Sequence, residues 1–267
     1  MLINCAFEGG GIKGLTYVGV LEYFEENGFQ VHKAVGTSVG SIFAGMAVAR
    51  FRVKEIKKII EDLDIKTIIS KNSFKTSIKE LGLNNIYNLE KKIDDILKLK
   101  NINTFKDLRF GDDYSFKVVT TDYNTRKGVV IPDDLPKYHI DKDSFRVSKA
   151  IAMGCCLPLV YSIYNYNGYK FIDGGASCKF PIHLLYNSKN PIIGLKIGND
   201  KSIVNKLQNK MFSIDNINSN HNNHNIYIIN INTLGLRASQ FTKGLDNKED
   251  LYTAGYLSIK NYFRDYK

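Results

Sequence analysis

Residues 31–50 read VHKAVGTSVGSIFAGMAVAR, and this stretch decides the fold. Val31–Val35 is a short β-prone run, and Ser41–Arg50 is apolar nearly all round, as a buried helix would be. Between them Gly36-Thr37-Ser38-Val39-Gly40 fits G-x-S-x-G, a strand that turns abruptly into a helix over one serine. Glycines stand two residues before and two after the serine because side chains there would collide with neighbouring backbone. The turn leaves Ser38 at its tip, beside the positive end of the following helix, where a nucleophile is expected. A glycine-flanked serine that merely caps a helix would satisfy the same letters.

Working outward toward the N-terminus, Leu2–Phe7 reads as a strand that ends in EGGGIKG. Leu15–Asn27 then has helical spacing, with Leu15, Val18, Leu21 and Phe24 on one side and Glu22, Glu25 and Glu26 on the other. Gly9-Gly10-Gly11-Ile12-Lys13-Gly14 admits three uses. It fits the G-x-G-x-x-G of a dinucleotide site, but the acidic residue expected at the end of the next strand is absent, since VHKAV runs straight into GTSVG. Exposed glycine amides at a helix start also suit an oxyanion hole, with Lys13 adding positive charge. A structural glycine turn is the third.

Toward the C-terminus, residues 53–108 are more polar and mostly helical in pattern. Ser115–Thr121 and Gly128–Ile131 read as strands, and Ser148–Cys156 as a small-residue helix stopped near Pro158. Asn167–Gly168 between two aromatic runs is a hairpin signal, and the hairpin's second arm ends at Asp173. Pro191–Ile197 and Asn225–Ile231 read as buried strands, with an Asn-rich mobile loop expected over Asn199–Asn225. A last helix from about Glu249 carries Tyr252, Tyr256, Ile259 and Phe263 on one face. Strands alternating with helices predict an α/β fold, and motifs in both halves that must meet predict one domain over residues 1–267.

The opening residues MLINCAFEGG lack a basic n-region, so no signal peptide is expected, and no apolar run reaches the length of a bilayer span. A soluble, cytoplasmic protein is expected. Cys5, Cys155, Cys156 and Cys178 lack the spacing of a zinc site or a disulfide framework and read as reduced thiols. The net charge of +10 comes from lysines scattered over helical segments such as KEIKK (54–58), without a nucleic-acid motif, so no nucleic-acid partner is expected. Attraction to anionic lipid is a secondary consequence of that charge.

A nucleophilic serine needs a base. His32 lies in the strand leading to the elbow and is badly placed, while His139, His221 and His224 sit in polar stretches. His183 is the histidine compatible with a triad; Asp173, at a strand tip followed by Gly174 and Gly175, is the carboxylate alternative. An ordinary Asp-Gly turn would look the same.

Taken together, GGGIKG, GTSVG and DGG occur in the order of the patatin-like phospholipase hallmarks G-G-G-x-[RK]-G, G-x-S-x-G and D-G-[GA], and the chain resembles that family. TFKDL (104–108), VVTTDYNT (118–125) and SKAIAMGCCLPLVY (148–161) extend the resemblance over most of the chain. It implies a three-layer α/β/α fold with a mostly parallel central sheet. It also implies a Ser38–Asp173 dyad with no catalytic histidine, and an oxyanion hole over Gly9, Gly10, Gly11, Lys13 and Gly14. Gly36 and Gly40 then form the nucleophile elbow, and Gly174 and Gly175 the motif around the base. No metal or cofactor is implied, and the substrate would be an acyl lipid at a membrane or micelle surface, with a protein activator an open possibility. The chain departs from the pattern at Glu8, at Thr125-Arg126, at GCC (154–156) and at ASCKFPI (176–182), and the last two cloud the substrate rather than the chemistry. The alternatives are a lipid-binding or regulatory protein on the same scaffold, a Ser-Asp-His triad esterase, and a nucleotide-binding protein.

Overall fold

The computed structural model describes residues 1–62, 85–158, 160–197 and 225–265. The expected Asn-rich loop and part of the polar middle lie outside these residues.

Among the described residues there are ten strands, eight of them in the predicted order. They are β1 (Leu2–Phe7), β2 (Gln30–Thr37), β3 (Arg109–Phe110), β4 (Asp113–Tyr114), β5 (Phe116–Asp122), β6 (Gly128–Ile131), β7 (Tyr164–Tyr166), β8 (Tyr169–Asp173), β9 (Ile192–Lys196) and β10 (Ile226–Asn230). β3 and β4 form a small separate hairpin that the sequence pattern did not suggest. The others build one sheet in which β10, β9, β1, β2 and β5 are parallel neighbours, and β6, β7 and β8 join antiparallel.

The helices are α1 (Thr16–Glu26), α2 (Val39–Val48), α3 (Val53–Asp62), α4 (Ile86–Lys98), α5 (Val147–Gly154), α6 (Phe241–Asp246) and α7 (Lys248–Asp265). β1 is buried on both faces, as a central parallel strand must be. Alternation sends Cys5 and Phe7 into the larger core with α1, α2 and α5, and Ala6 into a smaller one with Val35, Ile182, Leu185 and Ile192. α7 packs along α1, burying Leu251, Tyr252 and Ile259. Each such side chain contributes about 1.5–3 kcal/mol. Thr16 and Tyr252 carbonyls lie where side chains on Gly255 and Gly19 would have to go, so the two helices cross at backbone contact.

Two features of this topology position the site. First, the chain runs from β1 outward through β2 to β5, then returns to add β9 and β10 on the other side of β1. The carboxyl end of β1 is therefore the switch point, where open α/β sheets place ligands. Second, β5 takes β2 along Phe116–Val119, β6 along Val118–Thr121 and β8 along Thr120–Asp122. The overlaps put β6 on one edge, so β2 and β8 must share the other, approaching each other head-on. Thr37 faces Val119 and Asp173 faces Thr120, the next residue.

Candidate active site

The end of β2 delivers Ser38 in an unusual backbone conformation, φ 53° and ψ −133°, before α2 begins at Val39. An L-residue pays strain for a positive φ, commonly about 1–3 kcal/mol, so the surroundings must enforce it. They do so by close packing. A Cβ on Gly36 would come within 2.5 Å of the Gly40 carbonyl oxygen and the Ser41 amide. A Cβ on Gly40 would strike the carbonyl of Phe7. Ser41 completes the turn, its amide and hydroxyl both donating to the Ser38 carbonyl at 2.8 and 2.6 Å. The Thr37 hydroxyl donates to the Cys178 carbonyl at 2.9 Å, which ties the elbow to the segment after Asp173.

Asp173 ends β8 at the same edge. Its side chain is buried, and its amide donates to the Cys156 carbonyl at 2.9 Å. Oδ1 accepts the Gly175 amide at 2.7 Å. Oδ2 is buried and has no partner at hydrogen-bonding distance among the described residues. Burial raises the carboxyl pKa to about 6, against the opposing pull of the Ser38 hydroxyl, the Gly175 amide and the Lys179 charge. Ser38 therefore neighbours the carboxylate without a hydrogen bond to it among the described residues. Gly174 lies against the Val119 carbonyl with no room for a side chain, which lets the chain turn away directly after the acid.

The glycine turn after β1 lies alongside. A Cβ on Gly9 would be 3.3 Å from the Cβ of Ser38. The Gly9 amide is already bonded to the Lys179 carbonyl at 3.0 Å, and the Ile12 amide to the Ala238 carbonyl at 3.1 Å. Gly9 is therefore not a free donor, and its part in the turn is steric. Among the described residues the amides of Gly10 and Gly11 have no acceptor. Gly11 has φ +55° with the Ala238 carbonyl against it, so both its conformation and its space require glycine. Gly14 packs on Val39, and the Lys13 side chain is buried beneath the turn, near Glu8.

The described histidines are elsewhere. His32 lies against Phe110, six residues before Ser38 along β2, roughly 20 Å at strand rise. His139 follows a short 3-10 turn, Leu135–Tyr138. His183 is in Ile182–Leu185, beside the smaller core, with no hydrogen bond or charge contact to Ser38 or Asp173. His221 and His224 lie outside the described residues. All four cysteines are free, and Cys5, Cys155 and Cys156 are buried. Among the described residues no cluster could hold a metal, and no helix is long and apolar enough to cross a membrane.

The sequence pattern located the elbow, the acid and the glycine turn. It missed the partners that hold the turn: Lys179, Ile197 and Ala238. Their one visible signal was the departure at ASCKFPI; nothing marked Ile197 or Ala238.

Known proteins resemble this chain to different extents. YqhO of Bacillus subtilis, an uncharacterized protein, is 32% identical, with 74% of this chain aligned to 72% of YqhO. An uncharacterized protein of Acanthamoeba polyphaga mimivirus is 26% identical over 96% of this chain and 92% of its own length. Among solved structures, VipD from Legionella pneumophila superposes with a TM-score of 0.55 at 15% identity, and the type III effector protein ExoU with 0.51 at 15%. Each match covers 99% of this chain, but the chain spans only 66% of VipD and 52% of ExoU. These two likenesses establish the fold. The sequence profile of the patatin-like phospholipases matches residues 5–186, which hold the glycine turn, the elbow and the Asp-Gly-Gly motif, and the chain belongs to the patatin-like phospholipase family of lipid hydrolases.

Proposed function

We propose that the protein is a serine lipid acyl hydrolase that cleaves carboxylic esters of phospholipids or related acyl lipids through a Ser38–Asp173 dyad. The observation that carries this reading is the meeting of β2 and β8 on one edge of β5, which sets a strained serine beside a buried carboxylate with one unpaired oxygen.

In this reading Ser38 Oγ attacks the ester carbonyl while Asp173 Oδ2 takes the hydroxyl proton. A carboxylate of ordinary pKa is a weak base; the environment that raises Asp173 to about 6 makes it a better one while leaving it ionised at neutral pH. The oxyanion forms facing the amides of Gly10 and Gly11, and each such donor is typically worth about 3–4 kcal/mol in the transition state. The tetrahedral adduct collapses, the leaving alcohol takes the proton from Asp173, and an acyl-Ser38 ester remains. Water then adds to that ester as Asp173 accepts its proton, and the fatty acid departs with Ser38 restored. The protein would meet its substrate at a lipid surface, by peripheral contact.

The test is hydrolysis of a phospholipid panel by wild type, Ser38→Ala and Asp173→Asn. The reading expects activity in wild type and at least a thousandfold loss in both variants. Lipid binding without turnover in wild type would favour a binding role on the same scaffold.

A further inference from the structure

Glu8 has no part in the reaction as described, yet it is buried at the carboxyl end of β1, immediately before the glycine turn. It is also one of the chain's departures from the family pattern. Phe7 stands opposite Leu195 in the parallel β1–β9 register, so the next residue, Glu8, stands opposite Lys196. The Glu8 amide donates to the Leu195 carbonyl at 3.1 Å, as a parallel ladder requires. In an unbroken ladder the Glu8 carbonyl would accept the Ile197 amide in turn. Instead that carbonyl accepts the Tyr17 hydroxyl at 2.8 Å and faces Gly40, where a Cβ would come within 2.8 Å of it. The Ile197 amide donates to Glu8 Oε2 at 2.7 Å.

The side chain of Glu8 therefore takes the rung that its own carbonyl has left. Ile197 is fully buried, so its amide needs an acceptor. Once the carboxylate supplies one, the Glu8–Gly9 peptide is free to turn out of the sheet. Its carbonyl points to Tyr17, and its N–H, that of Gly9, donates to the Lys179 carbonyl at 3.0 Å. The amides of Gly10 and Gly11 follow directly along the chain. Ile197 also bears on them through its side chain: a Cβ on Gly10 would be 2.5 Å from Ile197 Cδ1. The second carboxylate oxygen, Oε1, lies 4.0 Å from the Lys179 ammonium. One carboxylate joins the end of β9, the glycine turn and the segment after Asp173.

Resting on the dyad reading above, we propose that Glu8 is a positioning residue for the reaction: its carboxylate stands in for its own carbonyl in the β1–β9 ladder, and so fixes the direction in which the amides of Gly10 and Gly11 face the oxyanion. What matters is an acceptor oxygen at that reach from the backbone. Without it, either the buried Ile197 amide is left unmet, or the Glu8 carbonyl swings back to it and carries the following amides round with it. Both outcomes displace donors that act on the transition state more than on the bound substrate.

The experiment measures kcat and KM on a soluble short-chain p-nitrophenyl ester, and the inhibition constant of an alkyl trifluoromethyl ketone, for wild type, Glu8→Gln, Glu8→Asp and Glu8→Ala. Ser38 Oγ adds to the ketone carbon, the proton passes to Asp173, and the resulting alkoxide occupies the oxyanion position. Melting temperature is recorded in parallel. Glutamine keeps the reach and an oxygen for the Ile197 amide but loses the charge; aspartate keeps the charge but is one methylene short. Glu8→Ala and Glu8→Asp are expected to lose at least about tenfold in kcat with KM within about twofold, and to bind the ketone more weakly in proportion. Glu8→Gln should stay near wild type in all three. A residue that only stabilised the fold would lower the melting temperature and the active fraction, and leave KM and the ketone constant where they were. Wild-type kcat and ketone binding in Glu8→Ala, Glu8→Gln as impaired as Glu8→Ala, or Glu8→Asp as active as Glu8→Gln overturns the proposal. If Glu8→Ala fails to fold, the order of Glu8→Gln and Glu8→Asp decides alone. Ester hydrolysis surviving in Ser38→Ala would instead remove the dyad reading, and the inference with it.

Discussion

Thr37 and Asp173 occupy consecutive places along one edge of β5, opposite Val119 and Thr120. Two strands that run toward each other end there, and each presents its chemistry where its own backbone must leave the sheet. That geometry needs no third side chain to bring nucleophile and acid together. It also makes the site depend on backbone details that can be tested one at a time.

Ser38 sits at φ 53°, ψ −133°, a region that glycine enters without strain. Ser38→Gly should abolish hydrolysis and yet raise stability by about 1 kcal/mol, read as a higher urea midpoint. A variant no more stable than wild type would mean that the elbow is not strained in solution.

Asp173→Asn should make the protein inactive but more stable at neutral pH. The acid's folded pKa, about 6, lies above its usual value of 3.8, so ionising it costs stability. That cost is absent below about pH 4, develops between pH 4 and 6, and is fully present above. The amide carries no such charge. Its advantage should be about 2 kcal/mol at pH 7, allowing for about 1 kcal/mol lost to its own unmet donors, and should shrink and then reverse toward pH 4. Melting curves across this range check it. For the same reason wild-type kcat/KM should fall as pH drops through about 6.

Gly174→Ala would drive a methyl group into the Val119 carbonyl. The chain would have to move where Asp173 and β5 meet, so a loss of more than about 2 kcal/mol and of most activity is expected. By contrast Gly168→Ala, in the β7–β8 turn where nothing lies within 4 Å, should cost only the strain of its φ of +82° and leave activity near wild type.

Much of this was legible in the sequence for a physical reason: the site is made of turns, and turns that bring backbone into contact demand glycine. Gly36 and Gly40 announced the elbow because no other residue fits against the Gly40 and Phe7 carbonyls. The aromatic runs on either side of the Asn167–Gly168 turn placed β8 and hence Asp173. The role of Asp173 was not legible locally, since an Asp-Gly turn has many uses and the head-on meeting of β2 and β8 is a property of sheet order. Lys179 was hidden for the same reason. Its contact to Gly9 spans the whole chain between the first strand and the last motif, and its one local mark was the departure at ASCKFPI. The β3–β4 hairpin escaped because two-residue strands have no periodicity.

The central claim is that Ser38 is activated by Asp173 and by no histidine. Its most direct test is the rate at which a fluorophosphonate probe labels the protein, with the modified peptide identified by mass spectrometry, in wild type, Asp173→Asn and His183→Ala. The account expects label on Ser38 in wild type, an unchanged rate in His183→Ala, and a rate at least a hundredfold lower in Asp173→Asn. Wild-type labelling in Asp173→Asn together with loss in His183→Ala, or label on another residue, would contradict it.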